Sequence, residues 1–170
     1  MKYIIDTLLF IFLYQKVLYP RWKNNKCFLQ YTLFYIYIVM VISVTLMPIC
    51  TSLPFMFTHE YRSMQMIPFN DVVHGWGDYE RQIILNIFMF MPMGFLLPIV
   101  NKANFRTVFI VSLLFSLFIE CTQPLLSTLR ASDITDVITN TTGGILGYAC
   151  YAFIVALLGD RKLIKRNIRF

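Results

Sequence analysis

Charged side chains are scarce in this 170-residue chain, at 14% of the total, against about 25% in an ordinary soluble domain. Histidine occurs twice, cysteine four times, and glycine and proline seven times each. Four scattered cysteines exclude a disulfide scaffold. No metal-ligand motif, no Ser-His-Asp spacing and no phosphate-cradling glycine loop is present, so the reaction class, if there is one, stays open. Too little glycine set against sixteen Phe, ten Tyr and nine Met excludes collagenous, low-complexity and disordered readings. What fills the space is apolar: 58% of the chain is drawn from AVILMFWYC. That shift places the chain in the membrane class, as one small all-α bundle of transmembrane helices.

A spanning helix needs about 20 mostly apolar residues. Cys27–Thr58 runs 32 residues without a charge, Gln82–Asn101 runs 20 and Val137–Gly159 runs 23. Thr107–Leu129 is interrupted only by Glu120, and Pro124 is expected to end its helix near Gln123. Tyr3–Tyr19 is weaker because it holds Asp6, Gln15 and Lys16. It lacks a small-x-small cleavage site and is read as a retained helix. The expected organisation is a first helix and basic loop over 1–27, then a membrane domain over 28–158. Within that domain spans are expected at 28–48, 82–101, 107–123 and 136–158, with a long loop at 49–81. A basic tail follows at 159–170.

The formal charge of +6 would suggest nucleic acid in a soluble protein, but its distribution says otherwise. If the helices alternate, 11 of the 15 Lys and Arg fall on one side, in the loops after the first and third spans and in the tail. Asp6, Glu60, Asp71, Asp78, Glu80, Asp133 and Asp136 fall on the other. The positive-inside rule then puts the N-terminus outside and the C-terminus in the cytoplasm of a multi-pass plasma-membrane protein. The basic residues set orientation and attract anionic inner-leaflet lipid, and nucleic acid drops out as a partner. Cys50 and Cys121 lie toward the same outer side, but four buried thiols acting as small hydrophobes is the ordinary reading.

The polar residues left inside the spans are concentrated. At 100° per residue, Ser112, Ser116, Glu120 and Gln123 share an arc of roughly 80° on the fourth span. Asp133, Asp136, Asn140, Gly143, Gly144 and Gly147 share an arc of roughly 100° on the fifth. Such faces point into a bundle, because lipid cannot satisfy them, and Gly143, Gly144 and Gly147 suit close helix packing. Asn86, Glu120 and Asn140 each lie about four residues inside the outer end of a span, roughly 6 Å deep. Gln123, Arg130, Asp133 and Asp136 follow just above. The candidate acid–base groups are therefore Glu120, Asp136 and Asp133. The candidate binding groups are Asn86, Gln123, Arg130, Asn140 and His74 of the long outer loop. The same amides also have a purely structural use as interhelical hydrogen bonds, with Glu120 bonded to one of them or paired with Arg130. Trp76, Tyr79 and Tyr61 of the long loop suit the headgroup zone.

These residues fall within stretches that resemble the VanZ-like family of bacterial membrane proteins. The matching segments are Met66-Ile-Pro-Phe-Asn70 and Asn86-Ile-Phe-Met-Phe-Met-Pro-Met-Gly-Phe-Leu-Leu-Pro98. They continue with Ser116-Leu-Phe-Ile-Glu-Cys-Thr-Gln123 and the stretch from Leu129 to Tyr148 with its Arg, Asp, Asp, Asn and Gly in register. Met91-Pro-Met stands where the family often has Ile-Pro-Leu, and Thr139 where Leu is common. The resemblance implies a cell-envelope protein, since the family's named member is associated with resistance to the glycopeptide teicoplanin through a mechanism with no named reaction. Expected partners are membrane lipid and either a lipoglycopeptide antibiotic or a lipid-linked wall precursor, with no cofactor and no metal. The competing reading is a membrane-embedded hydrolase or transferase acting on phosphate-linked lipid head groups, so whether the chain is an enzyme stays open.

Overall fold

The computed structural model describes residues 2–56, 58, 61, 63–127 and 130–158. Glu60 and Arg62 of the long loop and the basic tail from 159 onward lie outside the described residues. The described chain is helical in the order α1 (Lys2–Leu13), a π-helical turn (Tyr14–Leu18), α2 (Tyr19–Trp22), α3 (Phe28–Thr45) and a 3-10 turn (Leu53–Phe55). It continues with α4 (Asn70–His74), α5 (Tyr79–Asn101), α6 (Phe105–Leu126) and α7 (Ile134–Leu157). The helices α3, α5, α6 and α7 are each long and apolar enough to cross a membrane. The chain is a membrane protein built as an all-α bundle.

The bundle hides its polar side chains among apolar ones within and is apolar without, the arrangement that lipid selects. Leu29, Leu33, Ile36, Met40 and Val44 form an exposed stripe down α3. Phe88 of α5, Leu114 and Phe118 of α6, and Phe153 and Leu157 of α7 are exposed likewise. Ser112, Ser116, Glu120, Thr139, Asn140 and Thr141 are buried between the helices. The cysteines differ from the expectation of four buried thiols. All are free, and Cys121 and Cys150 are exposed. An outward thiol costs little where the solvent is hydrocarbon.

The first helix is longer than expected and less regular. Helical structure runs on to Trp22, past Pro20, because the π-turn resets the hydrogen bonding and Pro20 falls in the first turn of α2, where no N–H is required. Its polar residue proves to be a clamp. Asp6 is buried, and its carboxylate accepts the backbone N–H of Ile49 at 2.7 Å and of Cys50 at 2.9 Å. Facing that carboxylate pushes the Cys50 thiol up from its ordinary pKa. Tyr35 donates to the Phe10 carbonyl and Tyr14 bonds Thr32, so α1 is fastened to α3 at several levels. Asp6→Ala should free the helix from the loop after α3 at a cost of roughly 2–4 kcal/mol, two charge-assisted bonds being lost. Faster proteolysis within residues 14–27, with the cores of α5–α7 intact, would register it. Unchanged protection would show the clamp to be dispensable.

Two helix ends differ from the sequence expectation. α5 begins at Tyr79, inside the expected loop, after Gly75 and Gly77 turn the chain with φ of 66° and 64°. α6 does not stop at Gln123 but runs through Pro124 to Leu126. Proline cannot donate to the carbonyl of Glu120 four residues back. The Ser132 hydroxyl takes that place, donating to the Glu120 carbonyl, so the helix is completed by a side chain from beyond its own end.

Part of the long loop is tied back to the bundle. Gln65 pairs with the turn before α7, its N–H donating to Ser132 O at 2.9 Å and its carbonyl accepting from Ile134 N at 3.0 Å. Phe69 N–H donates to Thr135 Oγ1. These bonds roof the end of the bundle where α5 starts, α6 ends and α7 starts.

Candidate functional site

A cavity of about 600 Å³ opens between α3, α5 and the α6–α7 turn. Thr45 and Val44 come from α3, and Gln82, Leu85, Asn86 and Met89 from α5. Gln123, Arg130, Ala131 and Asp136 close the far side, and Asp78 and Arg81 stand at the mouth. Residues 82, 85, 86 and 89 follow the i, i+3, i+4, i+7 spacing, so one face of α5 forms a wall.

Asp136 is the best-connected group. It accepts from Asn86 Nδ2 at 2.8 Å and from Gln82 Nε2 at 3.3 and 3.4 Å. Asn86 also reaches Thr139 Oγ1 at 3.4 Å. The two amides sit one turn apart on α5, which lets both serve one carboxylate on α7. Across the cavity, Arg130 Nη1 donates to the Thr45 carbonyl, and Gln123 Nε2 approaches the same oxygen at 3.4 Å. That carbonyl lies in the last turn of α3 and has no intrahelical partner of its own. One guanidinium nitrogen is thus used for positioning, and among the described residues the remaining donors of the fork meet no acceptor.

The site's second wall leads to a second space. A cavity of about 380 Å³, lined by Tyr3, Leu46, Met47, Pro48, Ser52 and Leu126, shares Thr45, Gln123 and Arg130 with the first. The Arg130 side chain stands in the partition.

Other candidates from the sequence are placed apart from the cavity. Glu120 is 1% exposed and does not line it. Its Oε2 accepts the Asp133 N–H at 3.1 Å, so the group it meets is a helix N-terminus and neither Asn86, Asn140 nor Arg130. Asp133 is the N-cap of α7, accepting from Thr135 N at 2.7 Å. Asn140 lies deeper and donates to Ser116 Oγ at 2.9 Å. His74 is exposed on α4, donates from Nδ1 to the Asn70 carbonyl and stacks on Trp76. The expected common layer of Asn86, Glu120 and Asn140 therefore resolves into separate pairings. Gly143, Gly144 and Gly147 sit where α7 meets α5 and α6. A Cβ built on them would fall 2.2 Å from Ile87 O, 2.2 Å from Ser112 Oγ and 1.9 Å from Met91 O respectively.

Sequence reasoning passed over Gln82 and Thr45. Gln82 was legible in principle, since it precedes Asn86 by one turn on the same face. Thr45 was not, because its contribution is a backbone carbonyl. Among the described residues no cluster of His, Cys, Asp and Glu could hold a metal.

The sequence profile of the VanZ/LLP1 family matches residues 34–156. The chain belongs to the VanZ/LLP1 family. It is similar to Protein VanZ of Enterococcus faecium, at 33% identity over 129 residues, which is 75% of this chain and 76% of that protein. No solved structure matches. The family match takes in α5–α7 and most of α3, including every residue that lines the first cavity. It leaves out α1 and α2. The cavity therefore lies wholly within the family region, and the N-terminal helix lies outside that match.

Proposed function

We propose that this chain is an envelope protein of the bacterial plasma membrane that lowers the potency of teicoplanin-type glycopeptides through the cavity at the outer ends of its helices. The observation that carries the reading is the cavity itself, with Arg130 and Asp136 on facing walls. The positive-inside distribution of Lys and Arg supports an outward mouth, with the N-terminus out and the C-terminus in. Membership of the VanZ/LLP1 family supports the phenotype. In that orientation the site meets molecules of the outer leaflet: lipid, a lipid-linked wall precursor, or the antibiotic's own acyl chain.

Expression in a susceptible host should raise the inhibitory concentration of teicoplanin. The Arg130→Gln and Asp136→Asn variants, at equal membrane abundance, should lose most of that rise. An inhibitory concentration that does not move with the wild-type chain would sink the reading.

A second reading is favoured by the pairing of a guanidinium with a hydrogen-bonded carboxylate in one cavity. Arg130 would clamp a lipid-linked phosphate and Asp136 would act as general acid or base. Glu120 does not line that cavity. Lipid mass spectra that are identical with and without the protein would reject it.

A further inference from the structure

The charges of the cavity are balanced and yet unpaired. Two cations, Arg81 and Arg130, and two anions, Asp78 and Asp136, line one space. Among the described residues, none of them lies within 4.0 Å of an opposite charge. Asp136 is engaged by neutral amides and Arg130 by a neutral carbonyl. A site built for an anion alone has no need of Asp136, and one built for a cation alone has no need of Arg130. Negative charge gathers at one end, because Asp71 and Asp133 line a small recess that shares Asp136 with the cavity. Two signs held apart across one cavity match a ligand that carries both signs.

The walls also say from where such a ligand comes. Val44 and Leu85, both of the cavity lining, are 69% and 54% exposed. They belong to the apolar surfaces that α3 and α5 turn outward, so the cavity is open sideways between those helices as well as upward. A side opening framed by lipid-facing residues accepts a chain that stays in the bilayer while its head group turns inward.

We infer that this cavity binds a membrane amphiphile with a zwitterionic head, its phosphate diester held by Arg130 and its primary ammonium by Asp136, admitted laterally between α3 and α5. The inference rests on the outward-facing cavity of the proposed function and names the ligand class for it. Asp136 keeps acceptor capacity for an ammonium because a carboxylate offers about four lone-pair sites, of which the two amides take only part. Arg130 keeps a planar pair of donors for a phosphate.

The test uses the full chain in detergent, titrated by native mass spectrometry with short-chain phosphatidylethanolamine, phosphatidylglycerol and diacylglycerol, and with glycerophosphoethanolamine, which lacks the chains. Phosphatidylethanolamine should bind about 10- to 100-fold more tightly than phosphatidylglycerol, the contribution of one charge-assisted contact. Asp136→Asn, which keeps the shape and the acceptor for Asn86, should remove that preference by weakening phosphatidylethanolamine binding. Arg130→Gln, which keeps a donor for Thr45, should weaken both phospholipids. Circular dichroism melts of the same samples establish that each variant is folded. Equal affinity for the two phospholipids would overturn the zwitterion assignment. Equal affinity for the chain-free head group would overturn lateral admission. If either result came with an intact teicoplanin effect, only this inference would fall. Selective lipid binding without any effect on teicoplanin would sustain this inference and remove the resistance reading instead.

Discussion

Gly147→Ala is expected to be among the most damaging single-methyl changes at the described residues. The added Cβ would lie 1.9 Å from the Met91 carbonyl oxygen and 2.9 Å from its carbon. Both are backbone atoms of α5, so no rotamer change relieves the clash and the helices must part. Gly94 faces the same seam from the other side, where its Cβ would fall 1.9 Å from Gly144 O. In lipid, helices gain little from hydrophobic burial against each other and depend on close packing. Separating α5 and α7 therefore removes a main source of cohesion and pulls Asn86 from Asp136. We expect a loss of about 3 kcal/mol or more, at the upper end for overpacking. That corresponds to a melting temperature lower by about 6–12 °C in detergent. A variant melting within about 2 °C of wild type would show that the seam is looser than described.

Glu120→Ala should be comparably severe, whereas Glu120→Gln should be mild. The carboxylate is buried and accepts the Asp133 N–H, which belongs to the N-cap of α7. Alanine leaves that donor unpaired and opens a cavity beside Ile119, together about 3–5 kcal/mol. Glutamine retains an acceptor of the same reach. The reading of Glu120 as a structural bridge between α6 and α7 is therefore separable from an acid–base role. If Glu120→Gln abolished the effect on teicoplanin while melting like wild type, ionisation would be what the site requires and the structural reading would fail.

These expectations show where sequence reasoning reached and where it stopped. The 100° periodicity that gathers Ser112, Ser116, Glu120 and Gln123 on one face of α6 is a local property, and the structure buries the first three of them between the helices. Helix faces were therefore legible, because rotation per residue is fixed. Partners were not. Groups on three helices meet only if each helix is rotated toward the others. The rotations instead pair Asn86 with Asp136, Asn140 with Ser116 and Glu120 with a backbone N–H. The proline rule misplaced the end of α6 for a similar reason. Pro124 does free a carbonyl, but the Ser132 hydroxyl, folded back from the following turn, satisfies it. Asp6 was read as a flaw in a weak span, and its two N–H partners lie more than 40 residues away.

By itself, then, the sequence determined that the chain lives in a membrane, which stretches are helical, and which side chains must be hidden from lipid. Each follows from the cost of placing polar groups in hydrocarbon, a cost that is paid residue by residue and needs no knowledge of neighbours. Only the tertiary structure decided that Gln82, Asn86, Arg130 and Asp136 share a cavity while Glu120 and His74 stand outside it. That selection depends on helix rotation and on how closely two backbones approach. Here both are set by glycines on α7 meeting carbonyls on α5 across some 55 residues of intervening chain.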